Sequence, residues 1–286
     1  MEQTLAPGLY LVATPIGNLE DITLRALRVL TQADKIACED TRQTEKLLNH
    51  FAIQTPTISY HLFNEASRAE QLVAELKAGA RIAIVSDAGT PGIADPGEQL
   101  TKAAIAAGIA VFPIPGANAA IAALIASGLG SETFTFHGFL PSKSGARRTQ
   151  LESLPRSATT HIFYETPHRI LEALADLESL FGATLHVVIA RELTKLHEEF
   201  IRGSVADLYK TLNTRVQVRG EIVLLFTLPE AELVAPTQSI RVAVQALMQQ
   251  EGIPEKDALK RIARDRNISK SDAYRELQRE QSRRKP

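Results

Sequence analysis

Over the first 128 residues, short apolar runs closed by turn formers alternate with stretches whose apolar positions recur at helical spacing. The runs at 8–13, 35–38, 57–59, 81–85 and 110–113 read as strands, and 23–30, 41–51, 64–78, 97–107 and 117–127 read as helices. In the third helix Ala69, Val73 and Leu76 share a face, and Gly79 stands where a helix stop belongs. This βα alternation predicts a parallel, doubly wound sheet. The turn-rich Ser127-Gly128-Leu129-Gly130-Ser131 marks a boundary, after which strand patterns return at 134–138, 160–164, 185–190 and 221–227. Helices between and beside them fit 146–153, 167–180 and 205–212. A Glu-, Ala- and Pro-containing linker at 229–237 precedes three short amphipathic helices at 240–250, 255–265 and 271–281. Val242, Val244, Leu247, Ala258, Leu259, Ile262, Ala263, Ile268, Ala273 and Leu277 could form their small core, with Ser269 or Ser271 as an N-cap. The expected architecture is α/β: two α/β domains (1–128 and 129–230) and a small all-helical, helix-turn-helix-like domain (238–286).

The segment RIAIVSDAGTPGIADPG at 81–97 is the densest in information. A buried strand runs straight into a loop of Gly, Pro and Asp. Glycine lets a backbone approach a ligand closely, and proline restricts the loop at low entropic cost. In open α/β sheets ligands sit outside the carboxyl ends of the strands, so this loop is the expected edge of a small-molecule site.

Composition narrows the class. The chain has 286 residues, 44% apolar and 23% charged, with a single cysteine, Cys38. One cysteine permits no internal disulfide and no multi-cysteine metal site, and it fits a reducing compartment. The start, MEQTLAPGLYLVATP, has neither a basic leader pattern nor a long apolar stretch, so a cytoplasmic protein without a membrane span is expected. Net charge is −1, but 239–286 carries twelve Lys or Arg against seven Asp or Glu, a net of +5. That asymmetry suits either a tail that meets a polyanion or a solvated helix face.

Familiar phosphate loops are missing. Gly92 and Gly97 have Walker spacing, but Glu98 and Gln99 replace the required Lys and Ser or Thr, and Gly128-x-Gly130 lacks a third glycine. The seven histidines never fall into H-x-x-x-H spacing, and no G-x-S-x-G elbow occurs, so no metal site is expected. The ligand expected at the loop is therefore small and held without a triphosphate cradle.

Six segments then converge. Thr14-Pro15-Ile16-Gly17-Asn18-Leu19, Ser86-Asp87-Ala88-Gly89-Thr90-Pro91-Gly92 and Pro113-Ile114-Pro115-Gly116-Ala117-Asn118-Ala119-Ala120 resemble three loops of the tetrapyrrole methylase family. Ala37-Cys38-Glu39-Asp40-Thr41-Arg42, Phe163-Tyr164-Glu165-Thr166-Pro167-His168-Arg169 and Ala190-Arg191-Glu192-Leu193-Thr194-Lys195-Leu196-His197-Glu198-Glu199 narrow the resemblance to a branch that methylates a cytidine 2′-hydroxyl in 16S rRNA. The resemblance covers about residues 8 to 228, and the basic tail is similar to the extra helical domain of that branch. It implies S-adenosylmethionine in a cleft between two α/β domains, 16S rRNA or the 30S subunit as partner, and a homodimer. The alternatives are methylation of a tetrapyrrole carbon, and a non-catalytic RNA-binding or assembly factor on the same fold.

By resemblance, cofactor contacts fall to Pro15, Asp87, Gly89, Ile93, Ala117, Asn118, Tyr164, Ala190, Gly220 and Ile222. Asp87 could meet an ammonium group or close an Asx-turn in its own loop, and Tyr164 could be an ordinary core aromatic. A ribose hydroxyl is a poor nucleophile, so a base or a stabilising charge is required. Candidates are Glu39, Asp40, Glu165, Lys195 and Glu199, with Lys195 either a desolvated base or a cation beside the developing alkoxide. For RNA, Lys143, Arg147 and Arg148 lie among flexible Ser and Gly, and Arg42 and Arg169 follow strands. Each of these cations could instead belong to a solvated helix start or pair with a neighbouring carboxylate.

Overall fold

The computed structural model describes residues 4–61, 64–229, 239–266 and 268–282. Five strands, β1 (Gly8–Val12), β2 (Lys35–Cys38), β3 (Thr57–Ser59), β4 (Arg81–Val85) and β5 (Val111–Ile114), form one sheet in the order β3-β2-β4-β1-β5. Every pairing in it is parallel. The crossovers are α1 (Leu24–Gln32), α2 (Thr41–His50), α3 (Glu65–Lys77) and α4 (Glu98–Ala106), and α5 (Ala119–Ser127) leaves the last strand. Both faces of this sheet are buried, Val12, Ile36 and Ala83 on one side and Leu9, Ala37 and Ile82 on the other. That explains why its strands are continuous apolar runs rather than alternating ones. Local chemistry sets the helix starts: Thr23 accepts the Ala26 N–H, Asp40 the Arg42 N–H and Asn118 the Ile121 N–H.

The second sheet contains β6 (Phe134–Phe139), β7 (Thr160–Glu165), β8 (His186–Arg191), β9 (Glu199–Ser204) and β10 (Ile222–Thr227), ordered β6-β7-β10-β8-β9. Only β6 and β7 run parallel; the other pairs are antiparallel. Helices α6 (Ser144–Glu152), α7 (Ile170–Phe181) and α8 (Val205–Asn213) cover one face through Leu151, Leu174 and Leu208. The opposite face receives α5, whose Ala120, Ala123 and Leu124 pack with Ile162, Val188, Val223 and Leu225. Residues up to Leu228 thus form one compact unit. The strand at Glu199–Ser204 does not appear in the hydrophobic pattern. It is a half-buried edge strand, EFIRGS, whose existence depends on pairing with β8.

The other unit contains α9 (Ile240–Glu251), α10 (Glu255–Asp265) and α11 (Lys270–Ser282). Its core is Ile240, Val244, Ala258, Leu259, Ala263, Ala273 and Leu277, while Val242, expected inside, is 48% exposed. Ser269 accepts the Asp272 N–H, and Glu280 of α11 accepts the N–H groups of Ile240 and Arg241 at the start of α9. A carboxylate there satisfies orphan donors and faces the positive end of the helix dipole. Apart from Pro229, the expected linker lies outside the described residues.

One expected RNA contact is corrected by packing. Arg147 is 1% exposed, and its Nε donates to Asp176 Oδ2 at 2.7 Å while Nη2 donates to Glu172 Oε2 at 3.2 Å. Its Nη1 donates to the carbonyls of Pro141 and Ser142, both at 3.4 Å. This arginine ties α6 to α7 and offers nothing to a phosphate. Arg148 shares Asp176 and the Ser179 hydroxyl but remains about a third exposed (37%). Lys143, preceding α6, is exposed. Arg147→Ala takes from the buried Asp176 its shortest ion pair, leaving Ser144 and the longer contact to Arg148, and is expected to cost about 3 kcal/mol in urea unfolding. Arg148→Ala in the same assay should cost less than about 1 kcal/mol.

Candidate active site

The loops after β1, β2, β4 and β5 meet at the carboxyl edge of the first sheet. Thr14 and Gly89 exchange both backbone hydrogen bonds, N–H to O at 2.8 and 3.0 Å, which fastens the β1 loop to the β4 loop. The Asp87 carboxylate accepts the Asp40 N–H at 3.1 Å and so joins the β2 loop to them. The Thr90 hydroxyl donates to the Ala117 carbonyl at 3.1 Å and adds the β5 loop. Four loops are thereby locked against one another by bonds spanning 27 to 75 residues of sequence.

Between these loops and the ends of β7 and β10 lies a cavity of about 560 Å³. Asp87, Gly89, Ile93, Asn118, Tyr164, Gly220 and Ile222 line it, as do Glu39, Glu165 and Lys195. Other residues expected there do not. Ala190 is fully buried in the layer between α5 and the second sheet. Ala117 packs at the edge of that layer, and Pro15 lines a neighbouring, smaller concavity. Asp40 caps α2 and holds Arg42 through two bonds, Nε to Oδ1 at 3.1 Å and Nη2 to Oδ2 at 2.9 Å. Those bonds keep its carboxyl below the usual range, so Asp40 has no basic oxygen to spare. Arg42 pairs with it at the surface, its side chain 85% exposed, so it stays open to a phosphate.

Three carboxylates, Glu39, Asp87 and Asp95, line one part of the cavity. Burial, reinforced by Glu39, pushes Asp95 up to about 6 against the pull of the Ser86 hydroxyl. Burial and the neighbouring Asp87 also raise Glu39. The region therefore favours a bound positive charge. Asp95 belongs to the SDAGTPGIADPG loop, and only its placement beside Glu39 distinguishes it from the other turn formers.

Glu165, at the end of β7, has a side chain shielded from solvent. Its Oε1 accepts the Thr166 N–H at 2.7 Å and Arg169 Nη2 at 2.8 Å, while Oε2 is buried without a partner. Burial raises its affinity for a proton in spite of those two donors. Arg169 also reaches the Thr166 hydroxyl and the Leu140 carbonyl, so it anchors Glu165 rather than facing RNA.

Lys195 follows a turn in which Glu192 and Thr194 adopt φ of +54° and +63°. A β-branched residue in that region carries strain, which commonly marks a functional turn. The Lys195 ammonium donates to Glu192 Oε1 at 2.8 Å and to Glu221 Oε2 at 3.0 Å, and Glu192 Oε1 also accepts the Glu221 N–H. Gly220 is required beside it, since a Cβ there would overlap the Glu192 carboxyl group. Burial alone would lower the Lys195 pKa, but the two glutamates outweigh it and raise it. The desolvated-base reading of Lys195 therefore fails, and the group is a cation. Glu199 is held down to about 2 by Arg215 and Arg191 in a separate ion cluster and does not line the cavity. Tyr164 lines the cavity while contacting Phe136 and Phe139 edge-on, so it is both a core aromatic and a wall. Among the described residues no group of three or more His, Cys, Asp or Glu could hold a metal ion, and no helix is long and apolar enough to cross a membrane.

The sequence profile of the tetrapyrrole (corrin/porphyrin) methylases matches residues 8–209. Among curated proteins, the ribosomal RNA small subunit methyltransferase I of Halalkalibacterium halodurans is 48% identical over 271 residues, 93% of each chain. That of Bacillus subtilis is 43% identical over 272 residues, 93% of this chain and 92% of its own. Among solved structures, uroporphyrin-III-C-methyltransferase from Thermus thermophilus has a TM-score of 0.54 at 22% identity, covering 77% of this chain and 94% of its own. A diphthine synthase gives 0.56 at 14% identity, covering 77% and 89%. At such identities the two structures speak for the fold alone. Matched along most of its length by the profile and by near relatives, the chain belongs to the tetrapyrrole methylase family, among the ribosomal RNA small subunit methyltransferase I proteins.

Proposed function

We propose that the chain is an S-adenosylmethionine-dependent methyltransferase acting on the 2′-hydroxyl of a cytidine ribose in 16S rRNA. The observation that carries this reading is the agreement along nearly the whole chain with relatives called ribosomal RNA small subunit methyltransferase I. The cavity fits the cofactor. Its volume lies within the roughly 300–1,000 Å³ of small-molecule sites. The Ile93, Ile222 and Val223 side chains offer apolar wall to a nucleoside, and Glu39, Asp87 and Asp95 suit its ammonium and sulfonium charges. A homodimer in the cytoplasm belongs to the same reading, and the exposed Ile121 and Ile125 of α5 offer apolar contact surface for it.

When bound, the cofactor supplies an activated methyl group. The protein supplies the base, the charge and the geometry. Glu165 is the candidate base: Arg169 anchors one oxygen, and the other, Oε2, has no protein donor but lies buried, so the wall over it must part for the ribose hydroxyl to reach it. It takes the ribose hydroxyl proton as the oxygen attacks. An ammonium has three N–H donors. Two of Lys195's are held by Glu192 and Glu221, and the third serves the substrate oxygen as negative charge develops. Exposed Lys256, Lys260, Lys270 and Arg279 on the helical tail suit phosphate contact.

Labelled S-adenosylmethionine should transfer its methyl to 16S rRNA or 30S subunits and not to a corrin precursor; label in the corrin alone would refute the reading. In that assay, removing residues 239–286 should weaken RNA binding and spare cofactor binding. Glu165→Gln should lower kcat by roughly 10²–10⁴-fold with cofactor affinity retained, as measured by single-turnover transfer and calorimetry. Because a base must be ionised, the wild-type rate should fall as pH drops through a midpoint above the ordinary glutamate value of 4.5. Cofactor binding should tighten as pH rises through about 6, where Asp95 ionises. The slope should be at most about tenfold per pH unit, and Asp95→Asn should flatten it.

A further inference from the structure

Beside the main cavity lies a second concavity of about 320 Å³ that the cofactor reading leaves unused. One bank is the β1 loop, at Pro15 and Gly17; the other is α2, at Gln43, Lys46 and His50. Those α2 positions, with Leu47, recur at i, i+3, i+4 and i+7, so a single helix face forms the bank. The two hollows are contiguous. Asp87 lines both, and Gly17 lies so close against Lys195 that a Cβ would overlap its side chain.

The chemistry of this bank is unlike that of the main cavity. Lys46 is exposed, and its ammonium donates at 2.8 Å to the neutral Gln43 side chain. Among the described residues no ion pair offsets its charge. His50 is exposed, with its ring edge-on to Phe51 at 4.7 Å. The one carboxylate present, Asp87, is engaged by the Asp40 N–H. A cation, an amide and an exposed ring along an open groove match a nucleotide, whose phosphate takes the charge and whose base takes the ring and amide.

We propose that this groove binds the rRNA nucleotide adjoining the methylated one, with Lys46 on its phosphate and His50 against its base. The proposal rests on the rRNA reading above and adds where the strand continues once the target ribose faces Lys195 and Glu165. A ribose presented at the cavity must be followed by further backbone, and the contiguous groove gives that backbone a cationic place to lie.

The test measures methyl transfer to 30S subunits by the full chain and its variants. Lys46→Gln should raise KM for the subunit on the order of tenfold at 0.1 M salt and reduce the slope of log affinity against log salt by about 1. His50→Ala should raise KM at least about fivefold with the salt slope unchanged. In both variants the cofactor Kd and the Tm should match those of the unsubstituted protein. Unchanged KM in both, with normal transfer by the unsubstituted protein, would overturn the groove and leave the functional reading standing. A raised KM for Lys46→Gln with an unaltered salt slope would assign the groove to a protein component of the subunit and would overturn it as well. No transfer to rRNA by the unsubstituted protein would overturn both readings together.

Discussion

The burial of α5 on the second sheet is the contact on which the site depends. Its apolar face of Ala120, Ala123 and Leu124 fills the space against Ile162, Val188, Val223 and Leu225. Small side chains permit close approach, so the helix brings the loop ends of the first sheet against the ends of β7 and β10. The helix is secured at both ends. Asn118 caps its start at the cavity, and Arg202 of β9 donates to the carbonyls of Ala126 and Ser127 at its end. A cation there also opposes the negative end of the helix dipole. The spacing of the two cavity walls is therefore a packing result, and packed interiors resist gradual deformation.

Within that frame the charges divide by role. Glu39, Asp87 and Asp95 gather carboxylates against a positive ligand, whereas Glu165 and Lys195 are each held by opposite charges. Burial is the largest influence at Asp95 and at Glu165, which rises in spite of Arg169, whereas at Lys195 the partner charges override it. Asp95 has carboxylate neighbours and rises, while Lys195 has two glutamates and keeps its proton. The turn with Glu192 and Thr194 at positive φ carries Lys195 to the edge of the cavity.

Much of the fold was legible because its signals are local. The strand at 81–85, the caps Thr23, Asp40 and Asn118, and the glycine and proline loops each depend on a few consecutive residues. The edge strand Glu199–Ser204 was not legible, because an isolated EFIRGS has no reason to extend without β8 beside it. The cations were the least legible of all. Arg42, Arg147, Arg148 and Arg169 look alike as basic residues near loops, yet Arg147 is buried on Asp176, 29 residues away, and Arg169 is bound to Glu165.

The sequence by itself determined most of the elements, the parallel first sheet, the ligand loop and the family, since periodicity, turn chemistry and short motifs are written in neighbouring residues. Tertiary structure alone decided which carboxylate keeps one oxygen without a partner, which lysine is held between two glutamates and which arginines are spent on internal pairs. Electrostatic partners are set by distance in space, and the residues that meet here come from loops and strands far apart in the chain.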